Sequence, residues 1–257
     1  MFKHSLTARV AGAMACVAVA MTPIQAKAAD IKLFAGSSMR VLLPELLPQF
    51  EKASGHKVII EYGTLGANRD RVMKGEGDVA IVTSAHNDDL QKQGKVIAGT
   101  RADLAKVGYG VFVKKDAAKP DLATVDAFKR ALLAAKSIAV GDPAAGGPVG
   151  LYTADVMKRL GLADDLKGRS KLFPSGTEVA AAVAKGDTEI GIGLASDAVI
   201  TPGLVAVPLP SEIQNYTVYT LGVVAGSQSV DAAKALVAFL TSPAAKKALA
   251  AGGFEAQ

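Results

Sequence analysis

The chain has 257 residues, half of them apolar, and a formal net charge of +5. Three of its positive charges, Lys3, Arg9 and Lys27, lie in the first 28 residues, and removing them lowers the net charge from +5 to +2. The remainder has no tryptophan, few aromatic residues and no cluster of lysine and arginine. The sequence therefore lacks the aromatic residues that stack on bases and the basic residues that bind a phosphate backbone, which argues against a nucleic-acid-binding protein.

The first 28 residues have the order of a secretory signal peptide. Lys3 and Arg9 precede an apolar run at 10–21, and small residues at 26–28 supply a cleavage site. The run is too short to span a bilayer, which needs roughly 20 apolar residues. The sequence therefore predicts export to the periplasm and a mature protein that is not membrane-bound. Cys16 lies within the signal peptide, so thiol chemistry and disulfides are not expected.

Short β-type runs alternate with helical patterns in the rest of the chain, which is typical of α/β proteins with mostly parallel sheets. The runs lie at 31–35, 57–62, 78–83, 137–141, 189–194 and 216–225, and the clearest helices at 121–135, 148–160, 176–185 and 230–241. Extended segments at 107–110 and 216–222 are placed to cross between two lobes. We therefore expect a signal peptide at 1–28, a first lobe of residues 29–107 plus 220–257, and a second lobe of residues 108–219.

In open parallel sheets, ligands bind beyond the carboxyl ends of the strands, where loops lead into helix N-termini. Residues 35–40 and 63–69 of the first lobe are such loops, with hydroxyl groups and free backbone N–H groups that suit an anion. Helix capping is the alternative role for Ser38. The substrate-binding candidates of this lobe are Ser37, Ser38, Arg40, Thr64, Gly66, Arg69 and Ser84.

The second lobe supplies a glycine-rich loop at 141–148 and a helix-opening loop at 174–178. Glycine lets backbone N–H groups approach a ligand closely, although the first loop lacks the Gly-Lys-Ser/Thr ending of a P-loop. The substrate-binding candidates here are Gly146, Gly147, Ser175 and Thr177. The sequence has no G-x-S-x-G or H-E-x-x-H motif and no His/Cys cluster, so we expect neither ordinary hydrolase chemistry nor a metal.

Several motifs resemble those of the molybdate-binding proteins of bacterial ABC importers. They are F-A-G-S-S at 34–38, G-D-P at 141–143 with G-L-Y at 150–152, I-G-I at 190–192 with S-D-A at 196–198, and A-L-V-A-F-L-T-S-P-A-A at 235–245. The resemblance extends over essentially the whole mature chain. It implies a type 2 periplasmic binding-protein fold, in which two lobes joined by two crossings close on a ligand.

The expected molybdate donors are only partly present. Molybdate-binding proteins have a serine-rich turn after the second strand and a tyrosine before a Gly-Ser-Asp-Ala turn, whereas this chain has Thr-Leu-Gly at 64–66 and Leu-Ala-Ser at 194–196. Arg40 and Arg69 lie in the two loops of the first lobe, and a planar guanidinium suits a carboxylate. Exposed helix faces are the alternative location for both arginines.

These departures fit a second resemblance, to the periplasmic aconitate isomerases of pseudomonads and related bacteria. That resemblance implies interconversion of cis- and trans-aconitate without an organic cofactor, by an allylic proton shift that needs a base, an acid and donors for the developing charge. The catalytic candidates are His86, Tyr152, Tyr219 and Glu178, each with a structural role as its alternative. The alternative function is a non-enzymatic solute-binding protein that delivers molybdate, tungstate or a small carboxylate to an ABC permease.

Overall fold

The computed structural model describes residues 28–256. The strands of this part are β1 (Asp30–Gly36), β2 (Lys57–Gly63), β3 (Val79–Thr83), β4 (Ala102–Lys114), β5 (Ile138–Gly141), β6 (Ser170–Phe173), β7 (Ile190–Leu194), β8 (Leu204–Pro208), β9 (Tyr216–Val223) and β10 (Glu255–Ala256). Its α-helices are α1 (Leu43–Ser54), α2 (Leu65–Met73), α3 (Ser84–Lys92), α4 (Val125–Ala134), α5 (Pro148–Arg159), α6 (Ala163–Leu166), α7 (Gly176–Lys185), α8 (Ala195–Val199), α9 (Val230–Leu240) and α10 (Pro243–Ala251). The predicted signal peptide, 1–28, lies outside the described residues apart from Ala28.

Strand β4 belongs to both lobes. The strands follow the order β2-β1-β3-β9-β4-β7-β5-β6, with β8 and β10 also paired to β4. Residues 102–108 of β4 pair with β9, and residues 109–114 pair with β7 and β8. This change of partner separates a first lobe, which contains β1–β3, β9 and β10, from a second lobe, which contains β5–β8.

The two-lobed α/β class expected from the sequence is confirmed. The pairs β1–β2, β1–β3, β5–β6 and β5–β7 are parallel, as the alternation of strands and helices predicts. Strands β4 and β9 run antiparallel to their partners, unlike these four pairs. The carboxyl ends of the parallel strands in both lobes therefore face the cleft between them.

A side chain joins the two crossings between the lobes. The return crossing follows β8 and reaches β9 through Gln214. Its amide oxygen accepts the N–H of Tyr109 at 2.9 Å, and its amide nitrogen donates to the carbonyl of the same residue at 3.0 Å. Gln214 thus reproduces the hydrogen-bond pair of a neighbouring strand at the point where β4 passes from one lobe to the other.

Capping residues determine where the helices of the cleft begin. Thr64 Oγ1 accepts the N–H three residues on, at 3.1 Å, at the start of α2, and Ser175 Oγ does the same at 3.3 Å at the start of α7. Helix α7 ends at Gly186, the stop expected from the sequence, which adopts a φ of 85°. The helix predicted at 121–135 starts later, at Val125, because Thr124 caps it.

Burial of α7 against the second lobe fixes the loop that precedes it. Val179 and Val183 are fully buried and pack in one cluster with Phe112 of β4. Full burial of each such side chain stabilises the fold by about 1.5–3 kcal/mol. The N-terminus of α7 is therefore held rigidly at the edge of the cleft.

Candidate functional site

A small cavity lies between the lobes, at the carboxyl ends of the parallel strands. Its volume is about 40 Å³, which is room for about three water molecules. The first lobe lines it with residues 36–38, residues 63–65 and Tyr219, and the second lobe lines it with Gly141, residues 147–150, residues 174–177, Leu194 and Asp197. We call this space the inter-lobe cavity.

Three helices direct their N-termini at the inter-lobe cavity. Helix α2 follows Thr64, α5 follows Gly147 and α7 follows Ser175, and all three of these residues line the cavity. The N-terminus of a helix carries free N–H groups and a partial positive charge, both of which attract anions. Ser37 of the first lobe and Thr177 of the second lobe, which carry hydroxyl groups, also line the cavity. The cavity therefore offers an anion neutral hydrogen-bond donors from both lobes.

Ser38 and Tyr219 form a buried pair of hydroxyl groups in the first lobe. Ser38 Oγ lies 3.1 Å from the Tyr219 hydroxyl, and both residues line the cavity. Burial, with a further contribution from the negative charge of Asp197, raises the pKa of Tyr219 above its usual value. Tyr219 is therefore protonated throughout the physiological pH range and can donate a hydrogen bond.

Asp197 is the carboxyl group of the inter-lobe cavity. Its side chain is 3% exposed, and Oδ2 lies against the α-carbon of Gly176, so that a side chain at Gly176 would collide with it. Burial raises the pKa of Asp197 to about 7, although a hydrogen bond from the backbone of Leu194 lowers it. This carboxyl group therefore exchanges its proton near neutral pH.

Asp197 was not among the site candidates expected from the sequence. In the sequence it belongs to the Ser-Asp-Ala motif at 196–198, which follows β7. Its position at the carboxyl end of a strand of the parallel sheet was the available signal, since ligand sites form at such ends. Its burial beside α7 depends on tertiary packing, which the sequence pattern does not show.

The two arginines expected to bind a carboxylate lie outside the inter-lobe cavity. The guanidinium of Arg40 stacks over the ring of Tyr62, 4.5 Å from its centroid. Arg69 forms an ion pair with Asp70 at 2.8 Å, and its side chain is 44% exposed. Arg69 lies on an exposed face of α2, the alternative location, whereas Arg40 lies in the exposed turn before α1. Neither arginine lines the cavity.

His86, Ser84, Tyr152 and Gly146 line a second space between the lobes, with a volume of about 600 Å³. Burial and the positive charge of Arg69 lower the pKa of His86. Pro148 lines both this space and the inter-lobe cavity. These four candidates are therefore separated from Ser38, Tyr219 and the helix N-termini by the loop that opens α5.

Tyr152 and Glu178 make structural contacts. The ring of Tyr152 stacks on Tyr109 with centroids 3.9 Å apart, and its hydroxyl donates to the carbonyl of Ile213. Burial raises the pKa of Tyr152 to about 12. Glu178 is exposed and accepts a hydrogen bond from Ser175 Oγ at 3.1 Å, at the start of α7. Of the four catalytic candidates, Tyr219 alone lines the inter-lobe cavity.

The lobes touch directly beside the cavity. Thr64 Oγ1 donates to the carbonyl of Ala145 at 3.3 Å. Gly66 lies against the backbone of Gly146, so closely that a methyl group on Gly66 would collide with the carbonyl oxygen of Gly146. The structure therefore shows the two lobes in a closed arrangement. Gly66 serves this contact and does not line the cavity.

Two lobes joined by two crossings and closed over a small cavity are the architecture of a solute-binding protein. The chain belongs to the family of bacterial extracellular solute-binding proteins, whose model matches residues 31–255. It is 30% identical to an aconitate isomerase of Pseudomonas sp. over 253 residues, 95% of each chain. It is 27% identical to the molybdate-binding protein ModA of Azotobacter vinelandii over 256 residues, 96% of this chain and 95% of that one.

The solved structure of the Azotobacter vinelandii periplasmic molybdate-binding protein superimposes with a TM-score of 0.72 at 20% identity, and the match covers 88% of this chain and 99% of that one. The fold is therefore the type 2 periplasmic binding-protein fold, as the sequence predicts. Within residues 28–256, no helix has the length and hydropathy needed to cross a membrane. In the same range, no three acidic, histidine or cysteine residues are grouped as metal ligands.

Proposed function

We propose that this protein is a periplasmic isomerase that interconverts cis- and trans-aconitate through an allylic proton shift in the inter-lobe cavity. The observation that carries the proposal is Asp197, a buried carboxyl group with a pKa of about 7 among neutral anion donors. Binding an anion requires only the donors, whereas a proton shift also requires a group that titrates near the working pH. The 30% identity with an aconitate isomerase supports this choice of substrate.

The reaction moves one proton and one double bond. The Asp197 carboxylate takes a proton from the methylene carbon of aconitate, and the electrons of that C–H bond form a new double bond to the central carbon. The former double bond opens, and the negative charge of the resulting allylic carbanion spreads over the terminal carboxylates. Asp197 then returns the proton to the former vinyl carbon. No atom is gained or lost, and the Asp197 carboxylate is regenerated.

The other residues of the cavity stabilise the charge that develops on the substrate. The N-termini of α2, α5 and α7 supply backbone N–H groups, and Ser175 and Thr177 supply hydroxyl groups. Tyr219 stays neutral and donates to a carboxylate, with Ser38 fixing the orientation of its hydroxyl. Such donors accelerate a reaction when they are aimed at charge that grows in the transition state.

Purified protein beginning at residue 29, incubated with cis-aconitate, tests the proposal. Proton NMR follows the vinyl proton of each isomer, and the expected result is growth of the trans signal at a rate proportional to protein concentration. If no trans isomer forms at high protein concentration, the protein is not an isomerase of this type. Boiled protein controls for the slow spontaneous reaction.

The size of the cavity favours a second candidate, a non-enzymatic binding protein of an ABC importer. A volume of about 40 Å³ suits a compact oxyanion such as molybdate or tungstate better than it suits a tricarboxylate. The 27% identity with a molybdate-binding protein supports this candidate. A bound ligand stabilises the folded state by mass action. A thermal shift with molybdate and none with aconitate would favour import through a permease.

A further inference from the structure

The inter-lobe cavity combines neutral hydrogen-bond donors, which suit an anion, with the buried carboxyl group of Asp197. Among the described residues, no basic side chain balances that carboxyl group. No lysine, arginine or histidine of residues 28–256 lines the cavity. The side chain of Asp197 is 3% exposed and lies against Gly176, at the N-terminus of α7. An ionised carboxylate in this position would face a bound anion across a short distance of low dielectric, where like charges repel strongly.

We propose that binding of a fully ionised anion in the inter-lobe cavity takes up one proton, which Asp197 and the anion share. The shared proton removes the repulsion: on Asp197 it makes the carboxyl group a hydrogen-bond donor to the anion, and on a carboxylate of aconitate it leaves Asp197 ionised to act as the base. Without a proton, the two negative charges would have to be buried together, and the cost of burying unpaired charge is large. The inference rests on the proposed use of this cavity as the anion site and not on isomerisation.

Among residues 28–256, no positively charged side chain that could replace the proton contributes to the pKa of Asp197. Helix α8 packs against β4, β7, β8 and α7. The ionisable groups that sense the charge of Asp197 are the hydroxyls of Tyr219 on β9 and Tyr109 on β4, both with a pKa raised mainly by burial. Glu178 of α7 is directed to Ser175 Oγ and is exposed, while the sequence of β8 contains no ionisable residue.

A structural role at the start of α8 explains only part of this arrangement. The backbone N–H of Leu194 donates to the Asp197 carboxyl, as an acid in the first turn of a helix commonly accepts. That hydrogen bond satisfies one acceptor position of the Asp197 carboxyl group. It does not explain why the carboxyl group also lines a cavity that suits an anion. The pKa of about 7 means that protonation costs little near neutral pH.

The proposal predicts how the affinity for an anion depends on pH. For an anion that carries no proton of its own, the dissociation constant rises about tenfold per pH unit above the pKa of the free site, because one proton must be taken up with each anion. An anion that brings its own proton, such as hydrogen phosphate, binds without this dependence. The site therefore favours weak-acid anions as the pH rises.

Isothermal titration calorimetry of the mature protein with trans-aconitate and with molybdate, at pH 7.5 to 9 and in two buffers of different ionisation enthalpy, tests the proposal. The expected result is uptake of about one proton per anion and an approximately tenfold weaker affinity per pH unit. The isosteric variant Asp197→Asn should keep binding but lose this slope. Asp187→Asn, an exposed aspartate of the second lobe, is the matched control and should keep it.

Binding without proton uptake, or with the same slope in Asp197→Asn, would overturn the proposal. Failure of both anions to bind would overturn it as well, because the cavity would not be an anion site. The buffer comparison on the unmodified protein decides the matter if Asp197→Asn does not fold. If the protein takes up a proton on binding an anion but does not isomerise aconitate, the proposed isomerase function is wrong and this inference still holds.

Discussion

The hydroxyl of Ser38 lies 3.1 Å from the hydroxyl of Tyr219, and this buried hydrogen bond joins the turn after β1 to strand β9 in the wall of the inter-lobe cavity. The two residues are 181 positions apart in the chain. The ring of Tyr219 also packs edge-on against Phe254, with centroids 5.3 Å apart. Tyr219 therefore joins the turn after β1, strand β9 and the C-terminal segment beside the proposed anion site.

Removal of both partners of this pair should destabilise the protein by less than the sum of the two single removals. Ser38→Ala deprives the buried Tyr219 hydroxyl of a partner, so we expect the free energy of unfolding to fall by about 1–3 kcal/mol. In Ser38→Ala/Tyr219→Phe, both hydroxyl groups are gone and the loss should be smaller than the sum of the single losses. Urea denaturation measures all four proteins, and strictly additive losses would show that the bond contributes no coupling.

A methyl group at Gly66 should prevent closure of the lobes. Its Cβ would collide with the carbonyl oxygen of Gly146 in the closed arrangement, so the expected effect of Gly66→Ala is at least about tenfold weaker binding of cis-aconitate, equivalent to about 1.4 kcal/mol. The free energy of unfolding should change little, because each lobe can fold with the cleft open. Gly168→Ala is the control, since its Cβ would meet open space.

Small-angle X-ray scattering with and without ligand provides the structural measurement for this variant. The wild-type protein and Gly168→Ala should both become more compact on saturation with ligand, whereas Gly66→Ala should keep the larger radius of gyration. Equal compaction of all three proteins would contradict the role assigned to the contact between Gly66 and Gly146.

Asp197 should make the stability of the unliganded protein depend on pH. Its pKa is raised from 3.8 to about 7 by burial, so the folded state binds more protons than the unfolded state between these values. Its contribution to stability is fully present below pH 4 and is lost as the pH rises through 7, by up to about 4 kcal/mol. Asp197→Asn should flatten this part of the profile. Denaturant titrations at pH 4.5, 6 and 7.5 measure it, and parallel profiles of the two proteins would refute the buried titration.

The alternation of β runs and helices was sufficient to predict the fold, because hydrophobic periodicity and helix stops are local properties. The strand at 102–114 extends beyond the predicted segment 107–110 at both ends, and Asp103 and Lys106 interrupt the apolar pattern of its first half. Strand β6, at 170–173, was not predicted, because its residues are largely exposed at the edge of the sheet and show no apolar run.

The positions of the loops around the inter-lobe cavity follow from the sequence more directly than the positions of its charged side chains. Ser38, Thr64 and Ser175 lie where helix-opening loops were expected to meet, because their position follows from strand order. The orientation of Arg40 depends on the packing of Tyr62, and the burial of Asp197 depends on Gly176 from a distant helix. Such contacts are tertiary, and a single sequence contains no local pattern that encodes them.

The most direct test of the account is the rate at which cis-aconitate is converted to the trans isomer by wild-type protein and by Asp197→Asn, followed by proton NMR at pH 7.5 with Asp187→Asn as the control. We expect turnover by the wild-type protein and by the control, and a rate at least about a hundredfold lower for Asp197→Asn, because general acid–base catalysis contributes that much or more. Turnover by Asp197→Asn at the wild-type rate, or no turnover by the wild-type protein, would contradict the proposed mechanism.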